Sequence, residues 1–413
     1  MKLSRGLFVF VMVLLFLFSL PAQEEKRRDV LRYGIDSEVI ELLATLSEEE
    51  YDDLNAQILE LYVESRNPEL KAKAAETLAV KKYEPSRAAA REILEGYPDD
   101  EKLVTASIDL LMKLEDKESV PLLRSYAEDV NAAIALKAVS ALGELGSSEE
   151  TGFLKELWES EDTASNVRAQ LLSSLGYLGD SGSIPFLTEI LQDESQERSF
   201  RWRACGALGS IADPDSLPAL EAALNDGDTI LRTYAIRALR EFDGKLVYEY
   251  FIEALRDSFW RVRLAAIETL GERKEKQAVD ILEYKARNDP EEKIRLAAVA
   301  ALGEIGGGRS FEVLRSIMEN RSSSQVMRIT AMHTIIRQDI GSAFKSIDII
   351  LEQEWDKPAS RLIIELVKAM SSAEHPRLAG YFERFLGYPD AHDPEGYRAQ
   401  RLCSAEGEGS GAE

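Results

Sequence analysis

Three histidines, two cysteines and one triglycine run are the places in this sequence where covalent or metal chemistry would have to start. Metal ligation needs side chains that share a helix face at three- or four-residue spacing. His333 sits in a helical pattern, His375 precedes Pro376 in a turn and His392 lies near the C-terminus, so no two of them meet that condition. Gly306-Gly307-Gly308 would need a strand before it and Gly-Lys-Ser/Thr after it to cradle a phosphate, and it has neither. It reads as a turn. A thiol nucleophile needs a base within reach. Cys205 falls on an apolar helix face, where it is most simply a small core residue, and Cys403 precedes a tail made only of Gly, Ser, Ala and Glu. These residues assign no catalytic, cofactor-binding or metal site, and no cofactor is expected.

The remaining chemistry is charge. Lys and Arg number 50 against 74 Asp and Glu, a net charge of -24. Such an excess of acid repels nucleic-acid phosphates and anionic lipid headgroups, so neither is expected as a partner. A chain of 413 residues with 45% hydrophobic content can bury a core, and two cysteines cannot build a disulfide framework.

The elements that must carry this charge begin after a separate N-terminal segment. Lys2 and Arg5 precede an apolar run from Gly6 through Phe18, and Ala22 stands at a plausible cleavage point. Residues 1–22 read as a secretory signal peptide. A retained membrane anchor is the competing reading, although Leu7 to Leu20 is short of the roughly 20 residues that cross a bilayer. Export to the periplasm or cell envelope follows from the first reading, and no integral span remains after cleavage.

From residue 71 onward the sequence repeats itself. Asn166–Gly176, Phe200–Gly209, Trp260–Gly271 and Lys293–Gly303 share a basic residue, then Ala or Leu, then Leu-Gly. With the basic residue as position zero, anchors fall at Lys71, Leu103, Ala135, Arg168, Arg201, Arg232, Arg263, Arg295, Arg328 and Arg361, spaced by 31 to 33 residues. Each unit holds two helical patterns. In the first, offsets zero, three, four and seven form one face, with Ala at offset three in most units and Leu at offset seven in eight. In the second, offsets nineteen and twenty-three form an apolar stripe, and Pro121, Pro185 and Pro218 stand near its start. The spacing predicts an all-α stack of about ten helix pairs over 71–386, after an N-terminal helical cap at 23–70 and before a tail at 387–413.

The Val-Arg-x-x-Ala-x-x-x-Leu-Gly pattern and the Gly-Asp-Ser-Gly-Ser-Ile-Pro-Phe-Leu turn at 179–187 resemble HEAT repeats, specifically the short phycobilisome-lyase type. The resemblance is strongest from about 135 to 320. It implies an alpha-alpha superhelix of the HEAT/ARM kind with an extended concave face. It also implies a ladder in which an acid between repeats bonds a basic residue at the start of the next helix: Asp162 with Arg168, Asp226 with Arg232, Asp257 with Arg263 and Asp289 with Arg295. Asp129 precedes Ala135 and Ser195 precedes Arg201, so the ladder should break at those joints. HEAT-like hydroxylases of a modified lysine hold two irons through His-Glu pairs, and this chain has no His-Glu dipeptide.

Outward positions of the second helices carry Glu156, Glu189, Glu221, Glu253 and Glu283, which reads as an acidic track for a basic or extended peptide. The ordinary account is a solvated helix face in an acidic protein. Phe259 and Trp260 stand in an inter-repeat turn and are a second candidate surface, against burial between units. The function expected from these readings is a non-catalytic scaffold that binds a protein or peptide, basic in character. The alternative is a lyase-like or cofactor-handling enzyme.

Overall fold

The structure is a computed structural model that describes residues 24–46, 53–357 and 360–385. The expected signal segment, the C-terminal tail, His392 and Cys403 lie outside the described residues. Every regular element within them is helical, and the repeat appears as leading and trailing helices in alternation. Leading helices include Ala132–Leu145, Ser165–Leu178, Trp260–Glu272 and Glu292–Ile305; trailing helices include Thr151–Glu159, Ile184–Gln192, Gly244–Ala254 and Val279–Asn288. This is the all-α, HEAT/ARM-type arrangement of helix pairs.

The periodic apolar residues are the core. Ala138, Ala204, Ala235, Ala266 and Ala298 at offset three, and Leu142, Leu175, Leu208, Leu270 and Leu302 at offset seven, are fully buried. A side chain no larger than Ala there lets successive leading helices approach closely. Gly at offset eight carries this further: a Cβ on Gly176 would stand 2.8 Å from the Cα of Ala207, and one on Gly271 would stand 2.9 Å from that of Ala301. Those distances leave no room for a methyl group. Cys205 is buried in the same layer, as its helical position predicts, and burial pushes its thiol up.

Among the described residues six trailing helices enter through a short 3-10 turn, as at Ser181–Ser183 and Lys276–Ala278, which places a buried small residue, Ser183 or Ala278, at the joint. Pro121 and Pro185 follow in the first turn, where a missing N–H costs nothing. Leading helices end in residues that reverse the chain. Gly179 takes the left-handed conformation at φ 68°, and Ala212 takes it at φ 52° without glycine's freedom.

The chain divides into two compact units, 1–219 and 220–413. In the first, the leading helices from Pro68–Val80 to Arg198–Ile211 pack in sequence order, preceded by Asp36–Leu46 and Asn55–Glu64. In the second, Thr229–Leu239, Trp260–Glu272 and Glu292–Ile305 do the same and meet the helix Gln325–Glu354. That last helix joins a leading and a trailing helix without a proper turn. The break survives as non-helical backbone at Asp339, φ -159° and ψ 88°.

Candidate functional site

The anchor arginines form a ladder, in a register the sequence did not suggest. Arg263 donates to the Asp289 carboxylate from Nε at 2.9 Å and Nη2 at 2.8 Å, and its Nη1 donates to the main-chain oxygen of Asp257 at 2.9 Å. Arg232 repeats the pattern, with two bonds to the Asp257 carboxylate at 2.8 and 2.9 Å and one to the main-chain oxygen of Asp226 at 2.9 Å. Arg295 reaches the main-chain oxygen of Asp289 at 2.8 Å. Asp257 and Asp289, each six residues before an anchor, therefore offer their carbonyls to that arginine, while their carboxylates serve the arginines 25 and 26 residues earlier.

A local side-chain turn accompanies this register. Asp226, Asp257 and Asp289 each accept from the N–H two residues on, at 2.7, 2.7 and 3.1 Å, which holds the carboxylate in the turn ahead of the helix that follows. Burial pushes the carboxyls of Asp257 and Asp289 up. The arginine and backbone donors outweigh it, and both lie below the usual carboxylate range.

Asp162 and Arg168 depart from the expected pair. A longer turn at 160–164 lets Arg168 donate to the main-chain oxygen of Ser160 at 2.7 Å, its Nε is buried with no partner, and Asp162 makes no ion pair among the described residues. At the Ser195 joint, Arg201 donates to the main-chain oxygen of Leu191 at 2.8 Å. A second row of ion pairs escaped the sequence reading. Arg87 and Arg91 both bond buried Asp116, and Arg124 bonds Glu150 at 2.6 and 2.9 Å. The signal was a basic residue on a trailing helix with an acid 25 to 29 residues later, a spacing hidden among the other charges of the chain.

The outward glutamates are placed unequally. Glu156 and Glu189 in the first unit and Glu221 and Glu253 in the second are exposed. Glu283 is not available as part of a track, because Arg287 and Arg309 hold its two oxygens at 3.1 and 2.6 Å. Arg287 lies one turn along the same helix and Arg309 comes from the next trailing helix. Within the second unit a cleft of about 530 Å³ is lined by Glu221, Glu249, Tyr250, Glu253, Arg256 and Asp257, among others. Burial and a hydrogen bond to Glu221 raise the Tyr250 phenol above its ordinary value. Three exposed carboxylates, Glu221, Glu249 and Glu253, thus share this cleft with Arg256, while the Asp257 carboxylate is held by Arg232.

Phe259 and Trp260 are half-buried with ring centroids 6.1 Å apart. The Lys293 ammonium lies 3.6 Å from the Trp260 ring centroid, and the Arg261 guanidinium lies 4.9 Å from it. These cations already occupy the aromatic surface. A further cavity of about 1030 Å³ opens beside the break at Asp339, lined among others by His333, Arg337, Lys368 and His375. Among the described residues no three His, Cys, Asp or Glu side chains gather as a metal-binding group, and no helix is long and apolar enough to cross a membrane.

The chain is similar in fold to several solved helical-repeat proteins. It is 18% identical to a chain of the complex of CpcE and CpcF of phycocyanin lyase from Nostoc, with 56% of this chain and 94% of that one covered and a TM-score of 0.35. Kap121p bound to Nup53p matches at 15% identity over 87% of this chain and 47% of that one, with a TM-score of 0.44. Human deoxyhypusine hydroxylase matches at 17% identity over 75% of this chain and 98% of that one, with a TM-score of 0.28. No curated protein sequence matches the chain. A family model described as spirochaete HEAT repeat protein spans residues 31–393, and with its leading-helix alanines, Leu-Gly ends and arginine ladder the chain belongs to that HEAT-repeat family.

Proposed function

We propose that this protein is an exported, non-catalytic scaffold whose HEAT repeats bind a basic protein or peptide in the periplasm or cell envelope. The observation that carries the reading is the cleft lined by the exposed Glu221, Glu249 and Glu253, which stands on a frame braced by the Arg232–Asp257 pair. Helices locked to one another by buried ion pairs hold such a face without rearranging, which lowers the ordering cost of binding. Export rests on the apolar run behind Lys2 and Arg5, and N-terminal sequencing of the exported protein should begin at Gln23 or within a few residues. Recovery of intact Met1 in the membrane fraction would replace cleavage by an anchor.

The test of binding is capture from a native envelope extract, with identification of what is retained. Glu221→Gln, Glu249→Gln and Glu253→Gln together remove three exposed charges and should release the retained partner. Glu41→Gln, Glu60→Gln and Glu64→Gln together change net charge equally on other exposed positions and should not. Equal loss in both would replace the cleft by a general electrostatic field.

A lyase-like or cofactor-handling function is favoured by one observation, the cavity beside Asp339, whose size suits a small molecule. A coloured preparation, or one carrying stoichiometric metal, would move the function there. A colourless, metal-free preparation supports the scaffold.

A further inference from the structure

The ladder has a gap, and the gap is a cavity. At the joint between Val120–Ala127 and Thr151–Glu159 the anchor position holds Ala135, where the joints of the second unit hold Arg232 and Arg263. The turn position that would supply the carboxylate holds Ser160, whose main-chain oxygen takes Arg168 as Asp257's takes Arg263. Both members of the buried pair are thus replaced by small residues, and a cavity of about 310 Å³ remains, lined by Ala135, Ser160, Val130, Phe153 and Val167.

The charge of the lost arginine has not been compensated from within. Glu128, Asp129, Glu156 and Asp162 line the same cavity, and no Lys or Arg does. Asp129 is the equivalent of Asp257. It accepts from the N–H of Asn131 at 2.7 Å as Asp257 accepts from Phe259, but Leu103 stands 26 residues earlier where an arginine would answer its carboxylate. It makes no ion pair among the described residues. At the intact joints the carbonyl six residues before the anchor and a carboxylate from the following turn hold a guanidinium. Here Asp129 occupies the carbonyl position and Asp162 lines the slot two residues past Ser160, so the chain itself shows what this slot accepts.

We infer that the gap at Ala135 is a socket for a guanidinium supplied from outside, the side chain of an arginine on a bound polypeptide. The apolar wall of Val130, Phe153 and Val167 suits the methylene stem, and the main-chain oxygen of Asp129 with the charge of Asp162 suits the planar head. Val130 is fully exposed at the rim, a place for the partner's main chain to cover. The inference deepens the proposed function and rests on its reading that the partner is a polypeptide. It adds the residue type recognised and a second contact point, in the first unit.

A small probe tests the socket without the partner, so its failure leaves the scaffold reading to the capture experiment. N-acetyl-arginine methylamide is titrated into the full chain carrying labelled Ala and Val methyls. Signals of Val130, Ala135 and Val167 should shift saturably, and N-acetyl-lysine methylamide should bind at least about threefold more weakly because an ammonium cannot form the planar fork. Tighter binding of free arginine than of the capped probe would overturn a polypeptide source. Ala135→Arg with Ser160→Asp should fill the slot and abolish the shifts. Asp129→Asn with Asp162→Asn keeps the cap acceptor and the shape while removing charge, so it decides the matter however the first variant folds. Loss of the shifts supports the socket. Unchanged binding in the Asn variant, or no saturable shift in the wild-type chain, overturns it.

Discussion

Replacing Asp289 by alanine tests the ladder where it is most buried. The side chains of Arg263 and Asp289 are 8% and 1% exposed, so solvent screening does little to weaken their contact. The substitution removes two charge-assisted hydrogen bonds to Arg263, the bond accepted from the N–H of Glu291 and a contact at 3.4 Å with Lys285. Stranding one member of a buried pair costs about 3 to 5 kcal/mol. Arg263 keeps the carbonyls of Asp257 and Ser258 at 2.9 and 3.2 Å, which places the expected loss near the lower end, about 3 kcal/mol. Hydrogen exchange of the full chain is the assay, since helical stacks open locally and such a loss speeds opening about a hundredfold. Faster exchange should appear in Trp260–Glu272 as well as Glu292–Ile305. A double-mutant cycle fixes the register: Asp289 should couple to Arg263 by more than about 1 kcal/mol and to Arg295 by almost nothing through its side chain. Unchanged exchange, or coupling to Arg295 alone, would refute the reasoning.

Other outcomes follow from the same contacts. Asp116→Ala should cost less than Asp289→Ala, about 1 to 2 kcal/mol, because Arg87 and Arg91 remain 30% and 26% exposed and water takes over part of their solvation; equal costs by urea unfolding would contradict the burial account. Asp116, Asp257 and Asp289 have carboxyls held below their unfolded values, so their stabilisation is complete above about pH 4 and is lost as pH falls through the lower folded values; a melting temperature that rises on acidification would contradict this. Gly176→Ala should destabilise by about 1 to 3 kcal/mol, since the new methyl meets main chain at Ala207, and a neutral result by thermal melting would mean the helices separate freely. Cys205 should resist thiol reagents until its helix opens, as peptide mass spectrometry after timed labelling will show; rapid modification in the native state would contradict its burial.

The helix pairs were legible because the core repeats on a fixed period: Ala266 and Leu270 announce their burial by offset, and so do their equivalents in the other units. Partner choice was not legible, because sequence spacing does not distinguish a main-chain oxygen from a carboxylate. Asp257 stands six residues before Arg263 and does touch it, yet its side chain belongs to Arg232. Glu283 was read as outward from its helix position, and its neutralisation by Arg309 depends on how the next trailing helix lies against it. The aromatic surface at Trp260 was discounted in structure for a related reason, since Lys293 arrives over the ring from the following helix. Glu221 and Glu253 needed no such information, and both are exposed as their outward offsets predict.

Binding of a basic segment of the captured partner, titrated calorimetrically at two ionic strengths against wild type, the Glu221/Glu249/Glu253→Gln variant and the Glu41/Glu60/Glu64→Gln control, tests the central claim most directly. Exposed charges beyond a Debye length of about 8 Å are screened at physiological salt, so wild-type affinity should fall as salt rises. The cleft variant should bind more weakly and show a smaller salt dependence, while the control follows wild type. Wild-type affinity and salt dependence retained in the cleft variant would contradict the account.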